Sequence, residues 1–191
     1  MNLLEEAICF AVKAHEGMTR KDGATPYILH PLEAAAICAT MTRDQSIIAA
    51  AVLHDTIEDT AVTKEEIQAH FGDRVAELVA SETEVEYPDL SPEISWPLRK
   101  EESLQRLQKT QDPSVKILWL SDKLSNLRSL YRQWLEQGPA MWTRYHQQDP
   151  ASQAWYYSSI AQALSELKGT AAWQEYHVLL ETIFEGVREN G

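Results

Sequence analysis

Apolar side chains recur three and four positions apart almost from the start of the chain. Leu3, Leu4, Ala7, Ile8, Ala11 and Val12 form one such stripe, and no segment sustains the alternation of a half-buried strand. The pattern predicts an all-α protein. A first helix is expected from about Leu3 to Glu16, stopped by Gly17, and the polar, basic segment MTRKDGATPY with Gly23 and Pro26 must be a loop. A second helix opens near His30 and Pro31, where proline suits the first turn, and ends around Met41. A third starts near Asp44 and carries Ile47, Ile48, Ala51, Val52 and His54. Thr63 followed by Glu66 has capping-box spacing, which opens a short helix ending at Phe71 and Gly72, with another starting at Asp73.

The stretch from Glu82 to Pro97 is acidic, contains three prolines and lacks periodicity, so it predicts a long loop of the kind that serves as a lid. Leu98 to Lys109 reads as a helix, Pro113 punctuates, and Ser114 to about Leu135 reads as a long one. Helices resume from Gln153 to Leu167 and from Thr170 to the C-terminus. With 191 residues, no internal repeat and no low-complexity segment, the expectation is a single domain over 1–191, its motifs within about 4–135 and a helical extension over about 136–191.

Composition narrows the function classes. With 44% hydrophobic and 24% charged residues and no apolar run long enough for a bilayer, a soluble protein with no membrane partner is expected. Two glutamates precede the first apolar stretch where a secretory signal would be basic, and Cys9 and Cys38 lie in alanine- and isoleucine-rich helical patterns as buried free thiols. Both point to the cytoplasm. A net charge of −12 opposes affinity for long nucleic acids, whose binding rests on clustered lysine and arginine, but leaves room for a small anionic substrate in a locally positive pocket.

The chemistry concentrates in His54-Asp55-Thr56-Ile57-Glu58-Asp59. Adjacent histidine and aspartate offer an imidazole nitrogen and a carboxylate to one divalent ion, a mixed set that suits manganese, iron or zinc better than calcium. If the helix persists, Glu58 and Asp59 fall four residues after His54 and Asp55, on the same face. Taken alone, the segment reads as the polar end of a helix, with His54 capping and the acids solvated. His30 at a helix start, Asp122 among Leu118, Leu120 and Leu124, and Asn126 one turn beyond shift the reading toward a site. A buried carboxylate such as Asp122 calls either for a metal or for a salt bridge to Lys123 or Arg128.

The segments AHEGMTRKDGATPYILHPLEAA, AAVLHDTIEDT, EEIQAHFGDRVAELV and LSDKLSNLRSL, taken in order, resemble the HD-domain phosphohydrolases, and within them the branch of RelA/SpoT hydrolase domains and small Mesh-type alarmone hydrolases. The resemblance implies that His30, His54, Asp55 and Asp122 bind one manganese ion and that Glu58 and Asp59 position or deprotonate the attacking water. It further implies that Arg20 and Lys21 contact substrate phosphates and that Asn126 lies beside the nucleotide. The implied activity is removal of the 3′-pyrophosphate from guanosine tetra- or pentaphosphate. No alarmone synthetase is expected, because the chain ends soon after the hydrolase-like portion.

Ser121 stands where the family usually has alanine, which leaves Asp122 in register. The segment after Val79 departs further, and its Trp96-x-x-Arg99-Lys100 pattern resembles a bacterial HD branch of unassigned substrate. Arg99 and Lys100 read either as phosphate contacts or as surface partners of Glu101 or Glu102. The aromatic run Trp155, Tyr156 and Tyr157 reads as core, while the resemblance places Tyr156 near the nucleotide. His15, His70, His146 and His177 read as ordinary histidines. Trp134, Trp142 and Trp173 are assigned to core or interface packing, and the tryptophan-rich C-terminal third leaves room for a homodimer. Two alternatives to alarmone hydrolysis stand: the same machinery acting on another phosphorylated nucleotide or nucleotide cofactor, and a non-catalytic nucleotide-binding module.

Overall fold

The computed structural model describes residues 2–21 and 23–185, so Asp22 of the basic loop and residues 186–191 of the expected C-terminal helix lie outside the described residues. Among the described residues the α-helices are α1 (Leu3–Ala14), α2 (Leu29–Met41), α3 (Gln45–Leu53), α4 (Thr56–Asp59), α5 (Lys64–Phe71), α6 (Asp73–Glu82), α7 (Pro92–Lys109), α8 (Pro113–Gln137), α9 (Pro150–Ala163) and α10 (Ala171–Phe184). Two 3-10 segments, Gly138–Arg144 and Ser165–Leu167, complete the regular structure. The all-α expectation holds, and no described helix is long and apolar enough to cross a membrane.

The helix starts follow from local chemistry. Asn2 and Glu5 form a reciprocal capping box on α1, Thr63 and Glu66 form another on α5, and Asp44 accepts from the amide of Ser46 to start α3. Gly72, at φ 84°, turns the chain between α5 and α6 in a conformation that a residue with a Cβ adopts at a cost.

The described residues pack as two compact units, those within 1–83 and 112–125 and those within 84–111 and 126–185. The core–extension boundary expected near residue 135 falls inside the second unit. In the first unit α3 is the central element. Every residue from Ile47 to Leu53 is buried, and α1, α2 and α6 pack against it. Its run of Ala49, Ala50 and Ala51 lets neighbouring backbones approach closely, while Ile67, Val75, Leu78 and Leu118 fill the space around it. In the second unit α9 packs against α7 and α10, over a core that includes Trp96, Leu107, Tyr157, Tyr176 and Phe184.

Two expectations need correction. The segment from Glu82 to Pro97 is not one long loop: α6 runs through Glu82, and α7 begins at Pro92 with Pro97 inside it. Pro92 occupies the tolerated first turn, and burial of Ser95 and Trp96 holds the helix through the hydrogen bond that Pro97 cannot donate. The irregular stretch shrinks to residues 83–91. Cys9 is exposed rather than buried, because the buried face of α1 is set by Ala7 and Ala11, and a residue midway between them points away; Cys38 is buried as expected.

Candidate metal centre

All four expected ligands meet in the first unit. His30 sits in the first turn of α2, His54 and Asp55 occupy the break between α3 and α4, and Asp122 lies within α8. His30 and His54 point their Nε2 atoms at each other across 3.2 Å. Asp122 Oδ1 lies 3.0 Å from His30 Nε2 and 3.4 Å from His54 Nε2, and Asp55 Oδ2 lies 3.5 and 3.2 Å from the same two atoms. His30, His54 and Asp122 are buried.

The other ring nitrogens decide the tautomers. Ala51 O can only accept, so His54 Nδ1 donates to it at 2.9 Å. Ser125 Oγ donates its single proton to Glu33 Oε2 at 2.7 Å and therefore accepts from His30 Nδ1 at 2.9 Å. With both Nδ1 atoms protonated, a neutral pair of rings faces two lone pairs toward each other beside two carboxylates. That arrangement is repulsive unless a positive charge lies among the four atoms. A divalent ion with ligands at about 2.0–2.2 Å sets neighbouring donor atoms about 3.0–3.5 Å apart, the range found here, so the residues fit such an ion. The carbonyl behind one histidine and the serine–glutamate relay behind the other are the outer contacts that orient metal-binding imidazoles.

Acid–base behaviour points the same way. Burial lowers His30 below the ordinary histidine range, outweighing Asp122 and Asp55. Burial opposes charge on His54 too, but Asp55 and Asp122 overcome it and hold that ring well above the range. Burial likewise works against the ionised aspartates, yet His54 keeps Asp55 low, and Lys123 with His54 keeps Asp122 well below the carboxylate range. Of the two rings, His54 is the one whose surroundings favour the protonated form.

Glu58 and Asp59 follow on α4, the former half-buried and the latter exposed. The helix does not persist as one rod through His54, but α4 keeps the turn, with the Asp59 amide bonded to Asp55 O at 2.9 Å. Desolvation around its carboxyl and the charge of Asp55 raise Asp59 above its ordinary range. Arg20 lies in the loop before α2, its guanidinium 5.5 Å from the centre of the Tyr27 ring, and Lys21 is exposed beside it. Asp122 accepts a very short contact from Lys123, so one of its two expected salt-bridge partners is present together with the histidine cluster. Arg128 instead pairs with Glu175.

Asn126 follows one turn after Asp122 on α8 and is half-buried. The remaining candidates gather in the second unit. Arg99 and Lys100 both pair with Glu84, Arg99 at 2.6 Å, rather than with Glu101 or Glu102. Lys100 sits 5.0 Å over the Tyr156 ring, and Tyr156 is buried edge-on to Trp96.

Four residues near the metal cluster escaped sequence reasoning. Tyr27 donates to Asp55 Oδ2 at 2.7 Å and makes a very short contact with Asp59 Oδ2. His15, read as ordinary, is buried and stacked on Tyr27, with its Nε2 lacking a hydrogen-bond partner among the described residues. Ser125 bridges to His30. Glu82, read as part of an acidic loop, is buried at the end of α6, with Oε1 lacking a partner among the described residues and Oε2 3.9 Å from Lys123 Nζ. Burial and the nearby charge of Asp122 outweigh Lys123 and push Glu82 up to about 8.

A family model described as the HD domain matches residues 7–144. A Vibrio cholerae guanosine-3′,5′-bis(diphosphate) 3′-pyrophosphohydrolase is 39% identical over 132 residues, 66% of this chain and 18% of that protein. An Aquifex aeolicus protein of the same name is 39% identical over 130 residues, 67% of this chain and 18% of its own length. The chain thus spans under a fifth of the curated relatives it matches. Among solved structures, one from Listeria monocytogenes EGD-e superposes with a TM-score of 0.70 at 32% identity, covering 82% of this chain and 99% of that one. A metazoan SpoT ortholog, described as hydrolysing ppGpp, superposes with a TM-score of 0.72 over 100% of this chain and 97% of its own at 24% identity, a likeness of fold.

Proposed function

The chain belongs to the HD domain family, and from that membership we propose that it is a metal-dependent hydrolase that releases pyrophosphate from the 3′ position of guanosine 3′,5′-bis(diphosphate) and its pentaphosphate counterpart. HD domains bind a divalent metal, and the observation that carries the reading is the convergence of His30, His54 and Asp122, with donor atoms within 4.8 Å of one another, and Asp55 Oδ2 at 3.5 and 3.2 Å from the two histidines. The names borne by the Vibrio and Aquifex relatives support the substrate. We take manganese as the native ion, with iron and zinc compatible with the same mixed nitrogen and oxygen donors. We place the protein in a reducing cytoplasm, where an exposed thiol such as Cys9 persists.

When bound, the ion polarises a phosphoryl oxygen and makes a neighbouring water more acidic. His30 and His54 present neutral Nε2 atoms to it, and Asp55 and Asp122 supply the balancing charge. Asp59, with its raised proton affinity, and Glu58 hold the proton that leaves the attacking water and return it to the ribose 3′-oxygen. The water oxygen bonds to the phosphorus esterified at that position as the phosphorus–oxygen bond breaks, giving the 5′-diphosphate and pyrophosphate. Arg20 and Lys21 hold phosphates, arginine through its planar fork. We carry Asn126, Arg99, Lys100 and Tyr156 as further candidate substrate contacts.

The engagement of Arg99 and Lys100 by Glu84 favours a second reading, in which the same centre acts on another phosphorylated nucleotide. The test is pyrophosphate release from guanosine tetraphosphate by the purified protein with Mn2+, beside a panel of phosphorylated nucleotides, with Glu58→Ala and Asp55→Ala as controls. Selective release that both substitutions abolish supports the first reading. Turnover of another nucleotide alone moves the protein to the second, and activity that persists in Asp55→Ala overturns the site.

A further inference from the structure

Tyr27 touches both a metal-ligand candidate, Asp55, and a proton-carrier candidate, Asp59, yet the metal and acid–base roles leave it unassigned. Its hydroxyl lies 2.7 Å from Asp55 Oδ2, the same oxygen that faces His54 Nε2 at 3.2 Å, and it also meets Asp59 Oδ2. Its ring stacks on His15 at 5.0 Å and 11°, meets His30 edge-on at 6.1 Å, and carries the Arg20 guanidinium 5.5 Å from its centre.

The backbone fixes this placement. The Tyr27 amide donates to Met18 O at 2.9 Å, the Arg20 amide donates to Thr25 O at 2.8 Å, and Thr19 and Pro26 form an antiparallel bridge between them. Arg20 and Tyr27 therefore sit on opposite sides of one clasped loop, and His15 is anchored from behind by its Nδ1 bond to Ala11 O.

Resting on the hydrolase reading above, we propose that Tyr27 is a positioning residue with two separable parts: a hydroxyl that sets Asp55 for the metal and Asp59 for the water, and a ring that holds Arg20 for the substrate phosphates. A phenol has one proton to donate. Shared between two carboxylates, it ties the orientation of the metal ligand to that of the proton carrier. Partners of this kind behind a metal ligand affect metal affinity or activity by about 10–100-fold. A guanidinium over an aromatic face gains a few-fold to about 30-fold in preference for that position, according to its exposure.

The two parts predict different kinetics. Tyr27→Phe keeps the ring, so Mn2+ binding measured by calorimetry or by the free-ion electron paramagnetic resonance signal weakens about 10-fold, kcat falls about 10-fold or more, and KM stays within about twofold. Tyr27→Leu loses the ring too, and KM rises in addition by about fivefold or more. Unfolding midpoints and circular dichroism verify that both variants fold. Wild-type Mn2+ affinity and kcat in Tyr27→Phe overturn the proposal, as do indistinguishable kinetics for the two variants. The metal measurement separates this proposal from its premise. If the wild-type protein is inactive on guanosine tetraphosphate while Tyr27→Phe still weakens Mn2+ binding, the substrate reading falls and the hydroxyl's link to the metal stands.

Discussion

Glu82 is a liability to the fold that grows with pH, and its size can be worked out. The carboxyl is buried, Oε1 has no partner among the described residues, and its proton affinity is pushed up to about 8 from an ordinary value of 4.5. Between those values the folded protein keeps a proton that the unfolded chain has released. The unfolded state binds fewer protons there, and stability falls as pH rises. The slope is about 1.36 kcal/mol per pH unit, so by pH 7 the penalty is about 3 kcal/mol, rising to about 5 above pH 8. This is an upper figure, because Lys123 can approach the ionised carboxylate and recover part of it.

Other groups of the centre titrate as well, so the informative quantity is the difference between wild type and Glu82→Gln. Urea unfolding in the presence of a chelator, at intervals from pH 5 to pH 9, should give nearly equal stabilities at the acid end. A gap in favour of Glu82→Gln should then open and level off above about pH 8. Saturating Mn2+ should shrink the gap, since the ion's charge offsets that of Asp122 and Asp55. Parallel stability curves for the two proteins in chelator would refute the argument.

Asp122→Ala removes one of two carboxylates facing the paired Nε2 atoms, and Mn2+ retained through gel filtration, measured by elemental analysis, should fall from about one ion per chain to near none. Because His54 is held well above the ordinary histidine range, Mn2+ binding at pH 7 must displace its proton and tighten as pH rises. Calorimetry in buffers of different ionisation enthalpy, in the Glu82→Gln background, should report release of about one proton; no dependence on buffer would count against the assignment. Ile67→Ala, at a fully buried position of α5 in the core of the first unit, should cost about 2–5 kcal/mol in chemical unfolding without changing Mn2+ affinity.

What was legible in the sequence was local or carried by several ordered segments. Thr63 with Glu66 and Asp44 with Ser46 act within a few residues, so the starts of α5 and α3 could be read directly. The four metal-binding candidates could be named because each motif fixes its own residue. The supporting contacts could not, since each depends on which distant residue the fold delivers. Ser125 reaches His30 across 95 positions and Tyr27 reaches Asp59 across 32. A tyrosine or serine in such a place has no pattern of its own, and Glu82 hid inside a stretch whose charge suggested solvent. The start of α7 failed for a different reason: a proline in the first turn, such as Pro92, costs a helix little, and burial of Trp96 outweighed the lost amide and the ring's clash with the preceding turn at Pro97.

Three of the candidate donors arise within 26 consecutive residues, from His30 to Asp55, whereas Asp122 enters 67 positions later. Bringing it home closes a large loop of chain, at an entropic cost of about 4 kcal/mol that the burial of Leu118 in the first unit's core also helps to offset. An ion held at both ends of that loop acts as a clasp on the chain's path. Loss of the ion should first loosen α8 from the helices that precede residue 83, so metal starvation would be felt as softening of the fold before any question of turnover arises.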